Sequence, residues 1–219
     1  MSFKVIPKEA FPAWVEQMLA AYRVVAPRAV QDRYVFDVIR SPDEMDLGYT
    51  TTALPPKKFL LPQREELLRF DLNSGTIEPV IEAEPTIILG MHTCDLHAVN
   101  LLDEVFKGGY TDQHYTARRD STVIVSLECL SPCTEHSFCK SMGTASFTEG
   151  FDLHLTDLGD RYAIDIGTDR GRALAEAMPH ITDPAGAEEA DAFVRQEGQH
   201  SMAHRQHVKG LIKAYPGLK

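Results

Sequence analysis

A chain of 219 residues with 43% hydrophobic and 25% charged side chains can bury a sizeable core, and its composition excludes a disordered polymer. The formal charge of −10, from 22 Lys+Arg against 32 Asp+Glu, argues against nucleic acid as the main partner, because neutralising phosphates needs a basic surface. No apolar run approaches the ~20 residues of a membrane-spanning helix, and the first eight residues lack a signal peptide's apolar stretch and small-residue cleavage site. The expectation is a cytoplasmic protein without membrane insertion. Its reducing surroundings would disfavour structural disulfides and turn clustered cysteines towards metal or catalysis.

Phe11, Trp14, Val15, Met18, Leu19 and Tyr22 recur at helical spacing and predict an amphipathic helix from about Lys8 to Val25. Arg33 to Ile39, rich in Tyr, Val, Phe and Ile, predicts a strand. A Pro-punctuated segment follows from Ser41 to Phe70, and its end, Arg64 to Phe70, has the composition of a short helix. Thr86 to Met91 is a short apolar run after a proline, the form of a strand buried on both faces. Ala98, Val99, Leu102, Val105 and Phe106 then mark a helix from about Asp95 to Phe106, closed by Gly108-Gly109. After an extra helical turn near His114 to Arg119 comes a second apolar run, Thr122 to Leu127. The unit is a parallel strand–helix–strand crossover.

Phe151 to Leu155 and Tyr162 to Ile166 alternate apolar and polar around Gly159-Asp160, predicting a half-exposed hairpin. Helices are expected at Asp169 to Met178, at Ala187 to Gln196, and around Val208, Leu211, Ile212 and Tyr215. The expected fold class is therefore α/β: a mixed sheet with a parallel βαβ core, a hairpin and a helical C-terminal region. It would form one domain over 1–219, with residues 183–219 as a helical subdomain.

The four cysteines fall where this organisation brings chain segments together. Cys94 lies just past the first buried strand, at the amino end of the next helix, and Cys129 just past the second. In an open parallel sheet, ligands bind at the carboxyl ends of the strands, and neighbouring strands are only ~4.8 Å apart. Cys133 and Cys139 follow in a polar loop able to fold over the same edge. Four thiolates are what a cubane cluster takes, and soft sulfur ligands select iron–sulfur clusters or zinc. The helix after Cys94 is expected to favour thiolate at its positive end. The spacing, a distant cysteine and then C-x3-C-x5-C, matches no common ferredoxin or zinc-ribbon pattern. His92, His97 and His136 are neighbouring candidates as ligands, proton donors or solvated groups, and Asp95 has a plain explanation as a capping residue.

Several segments, taken in order, resemble one family. Leu54-Pro55-Pro56-Lys57-Lys58-Phe59-Leu60-Leu61-Pro62-Gln63-Arg64-Glu65 is similar to a segment of the β subunits of sulfhydrogenases and of their counterparts in anaerobic sulfite reductases. So are Cys94-Asp95-Leu96-His97-Ala98 with Leu101-Leu102-Asp103, Tyr115 with Arg118-Arg119, Phe138 to Thr144, and Phe151-Asp152-Leu153 with Thr156 to Asp160. The resemblance covers roughly Leu54 to Gly167. It implies a non-catalytic electron-transfer subunit of a multisubunit oxidoreductase, with a 4Fe-4S cluster on Cys94, Cys129, Cys133 and Cys139. Partners of a ferredoxin-like, flavin-binding or catalytic kind are implied as well. The family also implies a carboxyl-terminal ferredoxin-like domain with two CxxCxxC motifs, which residues 1–219 do not contain. A family pattern Cys-Phe-Cys stands here as Ser137-Phe138-Cys139, which leaves either Cys133 or a non-cysteine group to supply that ligand.

Two other readings of the same residues stay open: a zinc-stabilised interaction module, and a thiol enzyme using Cys133 or Cys139 with His136 as base. Lys57, Lys58, Arg64, Arg118 and Arg119 lie in the family-like segments, where they would neutralise a cluster or a phosphate, dock a partner, or form local ion pairs. His200, His204 and His207 share one helix face, but no carboxylate or cysteine completes a site there. The dinucleotide fingerprint and the phosphate-binding P-loop are both absent from the sequence.

Overall fold

The computed structural model describes residues 4–145 and 149–183. A seven-stranded sheet is built from β1 (Lys4–Pro7), β2 (Arg23–Val30), β3 (Arg33–Val38), β6 (Thr86–His92), β7 (Thr122–Leu127), β8 (Leu153–Asp157) and β9 (Arg161–Ile166). Their spatial order is β1-β9-β8-β7-β6-β2-β3. The central four, β2, β6, β7 and β8, run parallel, while β3, β9 and β1 add antiparallel margins. This is the expected α/β mixed sheet, and the parallel crossover from β6 to β7 is its centre. The expected helix at Asp169 to Met178 forms over Asp169–Glu176, while those at Ala187 to Gln196 and around Val208, with the helical subdomain they would build and the 200/204/207 histidines, lie outside the described residues.

Two apolar layers fix the helices on opposite faces. Phe11, Trp14, Val15 and Met18 of α1 (Phe11–Ala21) and Ala175 of α5 (Asp169–Glu176) join Val24, Ile87, Leu89, Val123, Val125 and Leu153 in one cluster. Leu96 and Val99 of α2 (Thr93–Lys107) and Tyr115 of α3 (Gln113–Ser121) join Val25, Ile88, Met91 and Ile124 in the other. The alternation of 87 and 89 against 88, and of 123 and 125 against 124, is the period-2 signature of strands covered on both faces. All seven residues of β6 and all six of β7 are buried. Side-chain caps start two of the helices: Asp112 accepts from the Tyr115 N–H at 2.8 Å, and Thr168 from the Gly171 N–H at 3.1 Å.

Three expectations are corrected. The first helix ends at Ala21, not Val25, because β-branched Val24 and Val25 are drawn into the sheet as part of β2, parallel to β6. Arg64 to Phe70 does not form a helix. Leu68–Phe70 is β4, paired antiparallel with β5 (Ile77–Pro79) in a small exposed ribbon. There Asp71 accepts from the Asn73 and Ser74 N–H groups, and Gly75 takes φ +70°, so turn chemistry overrides helix propensity. The 151–166 hairpin forms but is not half exposed: Leu153 to Thr156 are buried, since β7 flanks β8 and β1 covers the far edge of β9. The margin strand β1 has no counterpart among the expected elements.

Asp152 knits the amino ends of these strands together. Its carboxylate accepts from the Ile124 N–H at 2.8 Å and from the Thr168 hydroxyl at 2.5 Å, and it pairs with Arg170. Gly171 packs so closely that a Cβ there would lie 2.0 Å from the Asp152 carbonyl oxygen.

Candidate metal centre

The site begins with a fault in a strand. In β6 the register against β7 runs evenly from Thr86↔Thr122 to Leu89↔Val125, then skips Gly90, so that Met91 pairs with Ser126 and His92 with Leu127. Gly90 is at φ +84°, the left-handed region, and a Cβ there would lie 2.6 Å from Leu47 Cδ2. One inserted residue reverses side-chain parity beyond it, so the bulge carries His92 to the face that Leu127 occupies. Tyr49 then fixes the imidazole. The two rings stack at 4.1 Å with an interplanar angle of 7°, and the Tyr49 hydroxyl donates to the Gly90 carbonyl at 2.8 Å.

His92 is buried, and one of its ring nitrogens lies with the Cys129 and Cys133 sulfurs in a group whose ligand atoms are all within 4.8 Å of one another. Cys129 follows the end of β7 and Cys133 lies in the loop after it, so strand end and loop converge as their positions in the chain suggest. The Cys129 thiol donates to the Ser131 carbonyl at 3.1 Å. Cys94 is the second residue of α2, and Cys139 opens the short helix α4 (Cys139–Met142). These two border the trio: the thiols of Cys139 and Cys133 both act electrostatically on Cys94, and Cys94 acts on Cys129.

The electrostatics are those of crowded sulfur. Burial, Asp95 and the neighbouring cysteines push the Cys94 thiol up to about 12, although that residue is open to solvent on one side. The expected lowering by the helix end is thus overridden by desolvation and like charge. The Cys133 thiol moves the other way because its hydrogen bonds with Cys129 and His92 favour its thiolate, and the same interaction raises Cys129. Burial lifts the Asp95 carboxyl to about 6, against the pull of His92 and Lys57. Asp95 is not the cap of α2: His92 holds that position, and Asp95 faces the site from the first helical turn.

An open pocket of about 650 Å³ reaches this group from outside, walled by Phe11, Tyr49, Glu128 and Tyr162 and floored by His92, Cys129 and Cys133. Behind it runs a buried polar chain: the Ser126 hydroxyl lies 2.8 Å from His154 Nδ1, and His154 Nε2 lies 2.9 Å from Glu128 Oε2. Four thiols and an imidazole at one sheet edge form a soft donor set that fits an iron–sulfur cluster or zinc. The upward push that Cys133 exerts on Cys94, Cys129 and Cys139 marks a concentration of prospective negative charge of the kind a cation relieves.

The remaining candidates are placed elsewhere. His136 is exposed, 3.4 Å from Glu135, and His97 is half-buried on α2. Of the basic residues singled out in the sequence, only Lys57 acts on the site, through Asp95. Lys58, Arg64 and Arg118 line a smaller pocket of about 250 Å³ with Thr86 and Thr122, at the opposite, amino edge of the sheet. There Arg118 pairs with Glu65 and the Leu60 carbonyl, and Arg119 with Asp103, which also receives the Tyr115 hydroxyl. These family-like residues brace the fold. Tyr49 and Glu128 were not legible as site residues; Gly90, a glycine inside an apolar strand, was the one sequence signal of the bulge.

No protein-family model matches the chain. It is 30% identical, over 206 residues or 94% of its length, to sulfhydrogenase 2 subunit beta of Pyrococcus furiosus. The chain spans about 60% of the length of that curated relative. No helix among the described residues is long and apolar enough to cross a membrane.

Proposed function

From this relationship to the sulfhydrogenase β-subunit family, we propose that the chain is an electron-transfer subunit of a sulfhydrogenase-type oxidoreductase complex. Cys94, Cys129, Cys133 and Cys139 would hold one 4Fe-4S cluster, which supplies one-electron transfer when bound. The observation that carries the reading is the meeting of Cys94 and Cys129, separated by 34 residues, with the loop cysteines at one sheet edge. The chain's own residues set the surroundings of such a centre. The ends of β6 and β7 fix its back wall, and Tyr49 and Leu127 keep that wall largely apolar. Asp95 and Glu128 bring negative charge close to it, and Lys57 offsets part of that charge. Ferredoxin-like, flavin-binding or catalytic subunits are the proposed partners, since a one-electron centre needs a donor and an acceptor.

Anaerobically purified or reconstituted protein is expected to be brown, to absorb broadly near ~400 nm, to bleach with dithionite and to carry about four irons per chain. One observation favours a second reading. The trio of one imidazole and two thiols within 4.8 Å is compact enough for a single ion, which suits a structural zinc site. Colourless protein with stoichiometric zinc, unchanged by dithionite, would establish that reading and remove the first.

A further inference from the structure

We propose that His92 is a positioning residue of the redox centre: held by the Gly90 bulge and the Tyr49 stack, it donates a ring N–H to the Cys133 thiolate and thereby sets the reduction potential. The inference rests on the cluster reading and names the residue that tunes it. Two features of the fold place this ring. The bulge changes the face on which residue 92 emerges, and it does so at a position where φ +84° and the nearby Leu47 disfavour side chains other than glycine. The stack then holds the imidazole parallel to a buried phenol, itself anchored to the carbonyl of the bulge residue. A side chain merely filling a strand end needs neither device. What the oriented, buried ring meets is half-buried sulfur: its nitrogen is within 4.8 Å of the Cys129 and Cys133 ligand atoms, where partial removal from water strengthens a hydrogen bond.

A hydrogen bond to a thiolate ligand withdraws electron density from the cluster and favours its reduced, more negative state, so it raises the potential. Removing the donor while keeping a flat ring should therefore lower the potential without removing iron.

The test uses the full chain reconstituted anaerobically with iron and sulfide, with iron counted and the midpoint potential read by an EPR-monitored titration. His92→Phe is expected to retain the iron content of the unaltered protein and to shift the potential to a more negative value. His92→Gln, which keeps an N–H donor, should recover part of that shift. Tyr49→Leu, which removes the platform but not the donor, should shift it in the same direction by less. A retained cluster with an unchanged potential in His92→Phe would overturn the inference. So would loss of the cluster in both His92 variants while the unaltered protein keeps its own, since His92 would then be a ligand. If the unaltered protein takes up no iron, the cluster reading itself fails and this inference falls with it. The first iron count reports that outcome separately.

Discussion

The two ends of the parallel strands are finished in opposite ways. At the amino edge, charge meets charge, from the half-buried pair Arg118–Glu65 and the Arg170–Asp152 pair to the exposed Arg23–Glu84 pair. At the carboxyl edge, Cys129 and Cys133 converge on His92, with Cys94, Cys139 and Asp95 acting on the same group; the hydrogen bond with Cys133 and burial raise Cys129, and burial above all raises Cys94 and Asp95. The same β6 and β7 supply both ends, so the difference lies in the loops and not in the strands. The charges described at the amino edge are paired among protein groups, whereas the carboxyl edge is an arrangement that, on the proposed reading, a bound cation would complete. Substitutions at the two edges should therefore separate, amino-edge changes costing stability and carboxyl-edge changes costing metal.

The largest stability effect should come from Asp152→Ala at the amino edge. It strands the buried Ile124 N–H and the Thr168 hydroxyl, and a loss of ~3 kcal/mol is expected in urea denaturation, with metal per folded chain unchanged. Loss of metal from that variant under native conditions would erase the contrast between the edges. Next is Gly90→Ala, expected to cost about 2 kcal/mol through left-handed backbone strain and contact with Leu47, and to reduce metal content as well, because the bulge that sets His92 is disturbed. Arg118→Ala removes a half-buried fork from Glu65 and the Leu60 carbonyl, and should cost ~1 kcal/mol with metal content intact.

The smallest effect is a pH dependence of the metal-free protein. The Asp95 carboxyl rises from 3.8 to about 6 on folding, so the folded state binds its proton more tightly than the unfolded chain. The associated stability is fully present below pH 3.8 and is lost as the pH rises through about 6. Metal-free protein should be more stable at about pH 5 than at about pH 8 by roughly 1 kcal/mol for this reason, and Asp95→Asn should flatten that slope in denaturant titrations. An equal slope in the variant would remove Asp95 from the carboxyl-edge charge set.

How far the sequence reveals each region follows from what holds it. The runs 86–91 and 122–127 are legible because strands covered on both faces must be continuously apolar, and Cys94 and Cys129 inherit their place from those runs. The extension of α1 to Val25 failed because Val24 and Val25 satisfy a helical stripe and a strand interior equally well, and only pairing with β6 decides between them. Tyr49 comes from the long connection between β3 and β6, whose path is set by tertiary contacts and leaves no local pattern. Asp95 reads as a cap because a first-turn carboxylate usually is one; its role at the site depends on a loop about 40 residues downstream folding over it.

Whether Cys94, Cys129, Cys133 and Cys139 together hold one iron–sulfur cluster is decided by counting iron and acid-labile sulfide per chain. The count is made on the anaerobically reconstituted protein and on its four single Cys→Ser variants. About four of each are expected in the unaltered protein, with a marked loss in every variant. Zinc in place of iron in the unaltered protein, or full iron retention in any one of the four variants, would contradict the four-cysteine cluster.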